Sequence, residues 1–299
     1  MRTMRWVFPF LFACLAAAQP RGTVLAISAG AGDYLMAAGG TLAQFIQQGY
    51  SVTVVQVGND EKNAIGLSPA EARLANNRDG EHAARVLGIR EVVILNHKSG
   101  ELGQVSSNEI RNQFFGLIRR FKPQTVFHPD PWIHYEPDWD QYFTARPAEE
   151  FSYGSGRYVG AEFTTMGLPP VGVPETYYYA AYRPYRPGEG GHDAAKLRPV
   201  DITRTFSLKV AALEELETAN RRYAVHVKQR LDAAGRPSPL LRETDAASVK
   251  RLIRAYAEEL AETIGNKHGF RYGEEFNYHG RGAAVPPYVR EKARPVDAR

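Results

Sequence analysis

Cysteine is almost absent from this sequence of 299 residues, since Cys14 is the only one. An intrachain disulfide and a cysteine-ligated metal site are therefore excluded. An excess of charge of one sign is also lacking, because 37 basic residues are balanced by 33 acidic ones and no block of lysines and arginines occurs. We therefore expect no nucleic-acid partner. No apolar run reaches the roughly 20 residues that a membrane-spanning helix needs, so we expect no membrane span.

The first 18 residues have the pattern of a secretory signal peptide. Two arginines precede an apolar run over residues 6–15, and the alanines of residues 16–18 provide a cleavage site. We therefore expect export to the periplasm or the cell exterior after cleavage of residues 1–18. Lipoprotein anchoring through Cys14 is a less favoured alternative, because the residues before it fit a lipoprotein cleavage box poorly.

Beyond this segment, apolar and β-branched runs alternate with stretches of helical periodicity. Such alternation is typical of a parallel sheet with helices on both faces, so we predict a Rossmann-like three-layer α/β fold with a mostly parallel sheet. The domain is expected over residues 19–283, followed by a mobile tail over 284–299. Strands are predicted over 23–28, 51–57, 91–95, 125–128, 175–182 and 200–203, and helices over 35–48, 69–87, 108–121, 141–150, 206–231 and 246–264.

One motif follows the first strand and opens the first helix. Ala29, Asp33 and the run Gly39-Gly40-Thr41-Leu42-Ala43 resemble the A-H-P-D-D-E…G-G-T-L-A motif of the PIG-L/LmbE-like zinc N-deacetylases. Further segments resemble later motifs of that family in the same order, namely residues 67–71, 84–95, 99–102, 117–123, 130–136 and 272–276. The resemblance covers most of residues 22–280. It implies the family's fold and hydrolysis of the N-acetyl group of a GlcNAc-type substrate.

The resemblance also implies a zinc site, which this sequence retains only in part. The family's two metal-binding histidines fall on Gly30 and Gln141, and its third ligand is retained as Asp33. The family's general-base aspartate falls on Gly32. Catalytic zinc sites need three protein ligands and an open position for water. We therefore expect no zinc, and no other cofactor, in this protein.

The positions that assist catalysis and contact substrate in the family are changed as well. By resemblance, the oxyanion-stabilising histidine becomes Asp138, whereas the orienting aspartate is kept as Asp140. The substrate-facing arginine of the family falls on Asn76. Candidate substrate contacts also come from a segment similar to the family's D-P-W-x-x-Y-E, in which they are Trp132, Tyr135 and Glu136.

We therefore predict a PIG-L/LmbE-like domain that has lost zinc-dependent hydrolysis and binds a small carbohydrate-like ligand or a partner. The alternative is an active metal-dependent amide hydrolase with a rearranged, carboxylate-rich site that uses Asp33, Asp138, Asp140 and His134. The tyrosine-rich segment 151–185 is either a sugar-binding surface or part of the sheet edge and its loops. A measurement of bound metal separates the two functional hypotheses.

The carboxylates of this region have two further interpretations. Asp33, Glu136, Asp138 and Asp140 together form a candidate site for a hard cation such as Ca²⁺, which prefers oxygen ligands. Alternatively these residues are structural. In that case Asp33 is the N-cap of the first helix, Asp138 and Asp140 cap the following helix, and Glu136 faces solvent.

Overall fold

The computed structural model describes residues 19–133, 136–150, 160–186, 197–280 and 287–292. The expected signal peptide with Cys14, the residues His134 and Tyr135, and most of the expected tail lie outside these ranges. The strands are β1 (Thr23–Ser28), β2 (Ser51–Gly58), β3 (Glu91–His97), β4 (Thr125–Pro129), β5 (Glu175–Tyr179), β6 (Leu197–Asp201) and β7 (Gly273–His279). The α-helices are α1 (Asp33–Gln47), α2 (Pro69–Leu87), α3 (Ser107–Phe121), α4 (Trp139–Glu149), α5 (Ala161–Thr165), α6 (Phe206–Glu214), α7 (Glu217–Ala233), α8 (Ala246–His268) and α9 (Pro287–Arg290).

The strands of the described residues form one sheet in the order β3-β2-β1-β4-β5-β7-β6. Neighbouring strands from β3 to β5 run parallel, whereas β7 is antiparallel to both β5 and β6. The chain runs outward from β1 through β2 to β3 and then returns to the other side of β1 as β4. Such a reversal opens a crevice beyond the carboxyl ends of the strands, where α/β sheets of this kind bind their ligands.

Hydrophobic side chains cover both faces of the sheet. Side chains alternate along β1, so Val24 and Ala26 pack with α1, α6 and α8, while Leu25 and Ile27 pack with α3. All four side chains are fully buried, as expected for a central strand of a parallel sheet. The prediction of a mostly parallel sheet with helices on both faces is therefore confirmed.

Local sequence signals fix the ends of α2, which leads away from the crevice. Ser68 is its N-cap and accepts a hydrogen bond from the Glu71 amide, and the Glu71 carboxylate accepts one from the Ser68 amide in return. This reciprocal arrangement is a capping box. The helix ends at Gly88, which has the positive φ of 88° that a glycine adopts without strain.

A buried ion pair contacts the backbone in the middle of α1. The Glu274 carboxylate accepts hydrogen bonds from the amides of Gly40 and Thr41 at 2.9 and 2.8 Å. The Lys209 ammonium group donates to the Met36 carbonyl at 2.6 Å and to Glu274 at 2.8 Å. Both charged side chains are at most 2% exposed. The ion pair therefore links α6 and β7 to the backbone of α1.

The single helix expected over residues 206–231 is wrong, because the chain forms α6 and α7 with a break at Leu216. Leu216 has φ −77° and ψ 53°, outside the helical region, and its side chain is buried. Asp79 of α2 accepts hydrogen bonds from the amide and the hydroxyl of Thr218 at 2.9 and 2.6 Å. A carboxylate at the N-terminus of a helix stabilises that end, so a residue of another helix fixes the break.

The second half of the sheet also differs from the prediction. β5 ends at Tyr179 rather than at residue 182, and β6 covers Leu197–Asp201 rather than 200–203. The strand β7 was not predicted, because its adjacent acidic residues Glu274 and Glu275 do not suggest a buried strand. Both are at most 4% exposed.

Candidate functional site

A cavity of about 780 Å³ lies at the carboxyl ends of β1 and β2. Loops that follow β1, β2 and β3 form its floor, and α7 with residues after β5 forms one wall. The cavity includes the loop after β1, in which the sequence analysis placed Gly30, Gly32 and Asp33. The lining includes the predicted site residues Gly30, Gly32, Asp33, Asn76, Asp138 and Asp140, together with Asp60.

Asp33 is buried at the start of α1, with 3% of its surface exposed. Its Oδ2 accepts a hydrogen bond from the Gly30 amide at 2.7 Å, and its Oδ1 accepts one from the Tyr182 hydroxyl at 2.6 Å. Burial, with a further contribution from the charge of Asp138, raises the pKa of Asp33 from 3.8 to about 8. The carboxyl is therefore largely neutral at pH 7.

The interpretation of Asp33 as an N-cap is wrong. The N-cap position is held by Gly32, which has no side chain to accept a hydrogen bond. Asp33 is the first residue of α1, and its side chain turns back toward the preceding Gly30 amide. Asp33 therefore fixes the conformation of the loop after β1 and links it to Tyr182 beyond β5.

Asp60 is the main site residue that the sequence analysis missed. It follows β2 with a positive φ of 52°. Its Oδ2 accepts hydrogen bonds from the Ala31 amide and from Gln56, each at 3.0 Å, and its Oδ1 accepts one from Asn63 at 2.7 Å. Burial raises the pKa of Asp60 to about 6. The one available signal was a polar loop directly after a buried strand.

The carboxylate of Asp60 lies beside Gly30, the position of the family's first metal-binding histidine. A Cβ atom at position 30 would lie 2.9 Å from Asp60 Oδ1, closer than such contacts normally come. At Gly32, by contrast, a Cβ atom would lie 3.6 Å from its nearest neighbours, Leu216 and Tyr182. The structure therefore leaves room for a side chain at position 32 but not at position 30.

Asp138 and Asp140 have different structural roles. Asp138 is the N-cap of α4, as predicted, because its Oδ1 accepts a hydrogen bond from the Asp140 amide at 2.9 Å. The prediction that Asp140 is also a cap is wrong. Its carboxylate accepts hydrogen bonds from the amides of Gly100 and Leu102 and so holds the loop after β3. Burial raises the pKa of both carboxyls.

Gln141, at the position of the family's second metal-binding histidine, lines a different space. It borders a small cavity of about 40 Å³ together with Asp130, Glu136 and Asp138. Its side-chain amide is buried, and neither its oxygen nor its nitrogen has a hydrogen-bond partner among the described residues. The largely apolar side chains of Ile133, Trp139 and Tyr142 complete its lining. Gln141 thus borders a different cavity from Gly30 and Asp33, although Asp138 lines both.

The residues predicted to contact substrate do not all lie in one cavity. Asn76 lines the large cavity, but its side-chain amide donates to the carbonyls of Asp60 and Asn63 at 2.9 and 3.0 Å. Trp132 is half exposed, lines neither cavity and packs beneath Arg146. Tyr135 lies outside the described residues.

Glu136 is not the solvent-facing residue that the structural interpretation predicted. Its Oε1 accepts a hydrogen bond from the Tyr182 amide at 3.2 Å. Its Oε2 is buried without a partner among the described residues. Burial raises the pKa of Glu136. Glu136 therefore connects the loop before α4 to the end of β5.

The residues present do not fit a catalytic zinc ion. Within the described ranges, no group of three or more histidine, cysteine, aspartate or glutamate side chains has an arrangement that could hold a metal. Asp33 is engaged by Gly30 and Tyr182, and Gln141 borders a separate cavity. The same observations disfavour Ca²⁺, because the oxygens of Asp33, Asp60 and Asp140 are already used as acceptors of internal hydrogen bonds.

The wall of the large cavity carries arginine and tyrosine side chains, whereas its floor carries carboxyls. Arg183, which follows β5, and Arg222 and Arg230 of α7 all line it. The rings of Tyr223 on α7 and Tyr256 on α8 also line it and stack on each other, with centroids 6.0 Å apart and planes 18° from parallel. The cavity therefore combines arginine and tyrosine side chains on one side with buried carboxyls on the other.

Comparisons with known proteins find similarity to one protein family over part of the chain. Residues 25–144 match the family model described as PIG-L, GlcNAc-PI de-N-acetylase. A diacetylchitobiose deacetylase of Thermococcus kodakarensis is 23% identical over 164 residues, which cover 54% of this chain and 61% of that relative. The match thus spans less than two thirds of the relative's length.

Solved structures share the fold. The N,N'-diacetylchitobiose deacetylase from Pyrococcus horikoshii, in complex with its inhibitor MPG, matches with a TM-score of 0.69 at 22% identity, covering 90% of this chain and 88% of that one. A 4-carboxy-2-hydroxymuconate hydratase from Pseudomonas putida KT2440 matches with a TM-score of 0.51 at 21% identity, covering 73% and 91%. These names specify different reactions, so the fold alone does not fix the chemistry. None of the helices in the described part of the chain has the length and apolar character needed to cross a bilayer.

Proposed function

We propose that this chain, whose residues 25–144 match the PIG-L family model, is a member of that family whose cavity binds a small carbohydrate-like ligand without zinc-dependent hydrolysis. The observation that carries the proposal is the position of Asp60. Its carboxylate lies 2.9 Å from where the Cβ of a side chain at position 30 would begin. A carboxylate held by internal hydrogen bonds thus takes the space next to the position of the family's first metal ligand.

Hydrolysis of an amide requires a base for water and a donor for the oxyanion. The position of the family's base is Gly32, which has no side chain. Asp33 is a poor replacement, because burial raises its pKa to about 8 and leaves it largely protonated at pH 7. Asp140 is engaged by the amides of Gly100 and Leu102. Neither Asp33 nor Asp140 is therefore well placed to act as the base.

Binding of a small polar ligand is supported by the size and lining of the cavity. Its volume of about 780 Å³ lies in the range of roughly 300–1,000 Å³ that small-molecule sites occupy. The tyrosines of the wall offer flat apolar faces with polar ends, which suit a sugar ring. The size, position and lining of the cavity at the strand ends therefore suit a carbohydrate-like ligand.

The proposal is tested by titrating N,N'-diacetylchitobiose into the purified protein, both as isolated and after treatment with a chelator, with calorimetry for binding and an amine assay for hydrolysis. We expect binding without release of glucosamine-type amine. Ala219→Trp should abolish binding, because Ala219 lines the cavity. Ala233→Trp is the matched control, since Ala233 is an exposed residue at the end of the same helix.

Two results would contradict the proposal. Equal binding by Ala219→Trp and Ala233→Trp would place the ligand outside the cavity. Release of amine that stops when metal is removed and returns when metal is restored would establish the rearranged hydrolase instead.

We further propose that the protein is exported and cleaved after residue 18, on the basis of the basic, apolar and alanine segments of its N-terminus. N-terminal sequencing of the mature protein tests this, with Gln19 expected as the first residue. A mature chain that retains the apolar segment would contradict export by this route.

A further inference from the structure

The carboxyls of the cavity floor already accept hydrogen bonds from the protein, whereas two arginines of the cavity wall donate none to the described residues. Asp33, Asp60 and Asp140 accept hydrogen bonds from the backbone amides of neighbouring loops. Arg222 and Arg230, by contrast, make no hydrogen bond and no close ion pair within the described ranges, and Arg222 interacts electrostatically with Asp138, which lines the same cavity. The floor is therefore occupied by internal contacts, whereas the wall keeps its donors available.

These arginines lie on one side of a single helix. Arg222 and Arg230 are eight residues apart on α7, so their Cα atoms are separated by about 12 Å along its axis. Tyr223 lies between them in sequence, seven residues from Arg230, and lines the same cavity. Arg183, from the segment after β5, lines the cavity as well. Long arginine side chains can converge over such a distance on one ligand.

Arginine is suited to anions of a particular geometry. Its planar guanidinium group donates two parallel hydrogen bonds to a carboxylate or a phosphate, and such charge-assisted pairs are stronger than neutral hydrogen bonds. The stacked rings of Tyr223 and Tyr256 lie in the same wall, and the hydroxyl of Tyr256 is held by the Tyr182 carbonyl at 3.2 Å. An apolar ring face and cationic donors are thus presented together.

We propose that the ligand of this cavity is a carbohydrate derivative with an acidic substituent, a carboxylate or a phosphate, which Arg222 and Arg230 bind while the sugar ring packs against Tyr223 and Tyr256. This inference rests on the proposed function, and it adds the chemical class of the ligand and the residues that select it. Arg183 is placed to contribute a third guanidinium group from the other side of the wall.

The test compares sugars that differ only in the acidic group. N-acetylglucosamine, N-acetylglucosamine 6-phosphate and N-acetylmuramic acid are titrated into the full protein with chelator and physiological salt, and inorganic phosphate is titrated separately. At least one acidic sugar is expected to bind about tenfold or more tightly than N-acetylglucosamine, since a hydrogen bond to a charged group typically contributes that much. The phosphate and carboxylate sugars distinguish the two kinds of acidic group.

Variants then locate the selecting residues. Arg222→Gln combined with Arg230→Gln should remove the preference, so that the double variant binds the acidic sugar no more tightly than it binds N-acetylglucosamine. Arg221→Gln is the matched control, because Arg221 is exposed on the same helix and does not line the cavity. It should keep the preference for the acidic sugar.

Each other outcome overturns a defined part of the argument. Equal affinity for neutral and acidic sugars, or a preference that survives in the double variant, overturns this inference and leaves the proposed function standing. Inorganic phosphate that binds as tightly as the sugar phosphate also overturns it, since the sugar then contributes nothing. If no sugar, neutral or acidic, binds in the cavity, the proposed function fails as well.

Discussion

Replacing Asp33 by asparagine tests whether this buried carboxyl is neutral in the folded protein. Burial, together with the charge of Asp138, raises the pKa of Asp33 from 3.8 to about 8. Asparagine has the shape of a neutral carboxyl, so its oxygen can accept the hydrogen bond of the Gly30 amide and its amide group can donate to Tyr182. We therefore expect Asp33→Asn to stabilise the protein at neutral pH.

The magnitude follows from the number of protons bound in each state. The unfolded chain releases the Asp33 proton near its ordinary pKa of 3.8, whereas the folded protein holds it up to about pH 8. Between these values the folded state binds more protons, so wild-type stability falls as pH rises, by up to about 1.4 kcal/mol per pH unit. The variant lacks this dependence. Its advantage in unfolding free energy should grow from near zero at pH 4 to about 4 kcal/mol at pH 7.

Denaturant-induced unfolding of both proteins between about pH 4 and pH 8 measures this difference. Asp201→Asn provides a control of opposite sign, because hydrogen bonds from the Thr203 hydroxyl and amide lower the pKa of Asp201. Asp201 therefore contributes stability above its ordinary pKa of 3.8, so Asp201→Asn should be less stable than wild type by an amount that stays nearly constant between about pH 5 and pH 8. A stability difference between Asp33→Asn and wild type that stays constant with pH, or that favours wild type at pH 7, would refute the reasoning.

Two further predictions concern the helix and loop that position the cavity. Glu274→Gln should lower the unfolding free energy by about 3–5 kcal/mol in denaturant titrations, since it leaves the Lys209 charge buried without its partner. The control Arg254→Gln breaks an exposed ion pair and should lower the unfolding free energy by less than about 1 kcal/mol. Equal losses in the two variants would show that burial of the ion pair is irrelevant. Gly30→His should lower the melting temperature, because its Cβ would lie 2.9 Å from Asp60 Oδ1, and adding Asp60→Gly should recover part of the loss. Strictly additive losses in this double-mutant cycle would mean that the two positions do not interact.

The position of the loop that holds Gly30, Gly32 and Asp33 could be predicted from the sequence, because it depends on local patterns. A buried β-branched strand followed by a glycine-rich turn and a helix places Gly30, Gly32 and Asp33 at the carboxyl end of β1, whatever the rest of the chain does. The N-cap role of Asp138 is equally local, since it involves a backbone amide two residues away. Such features can be inferred from the residues themselves.

The features that were missed depend on residues distant in sequence. Asp60 and Ala31 are 29 residues apart, and nothing near Asp60 indicates that it bonds to the loop after β1. The break at Leu216 needs Asp79, which is 139 residues from Thr218. Helical periodicity continues across such a break, so it cannot be inferred from the local pattern.

The strand β7 was missed for a similar reason. Its buried acidic residues are satisfied by cations from other elements, Glu274 by Lys209 of α6 and Glu275 by Lys267 and His268 of α8. Buried charges are normally paired, but the sequence does not state which residue is the partner. The sequence analysis therefore assigned no strand to this segment.

The most direct test of the account is the zinc content of the purified mature protein, measured by elemental analysis after mild chelation. Because Gly30 and Gly32 offer no side chain, Asp33 is engaged by Gly30 and Tyr182, and Gln141 borders a separate cavity, we predict well under one equivalent of zinc per chain. Zinc that remains at one equivalent through chelation would contradict the account, since the family's metal site would then have persisted on a different set of ligands.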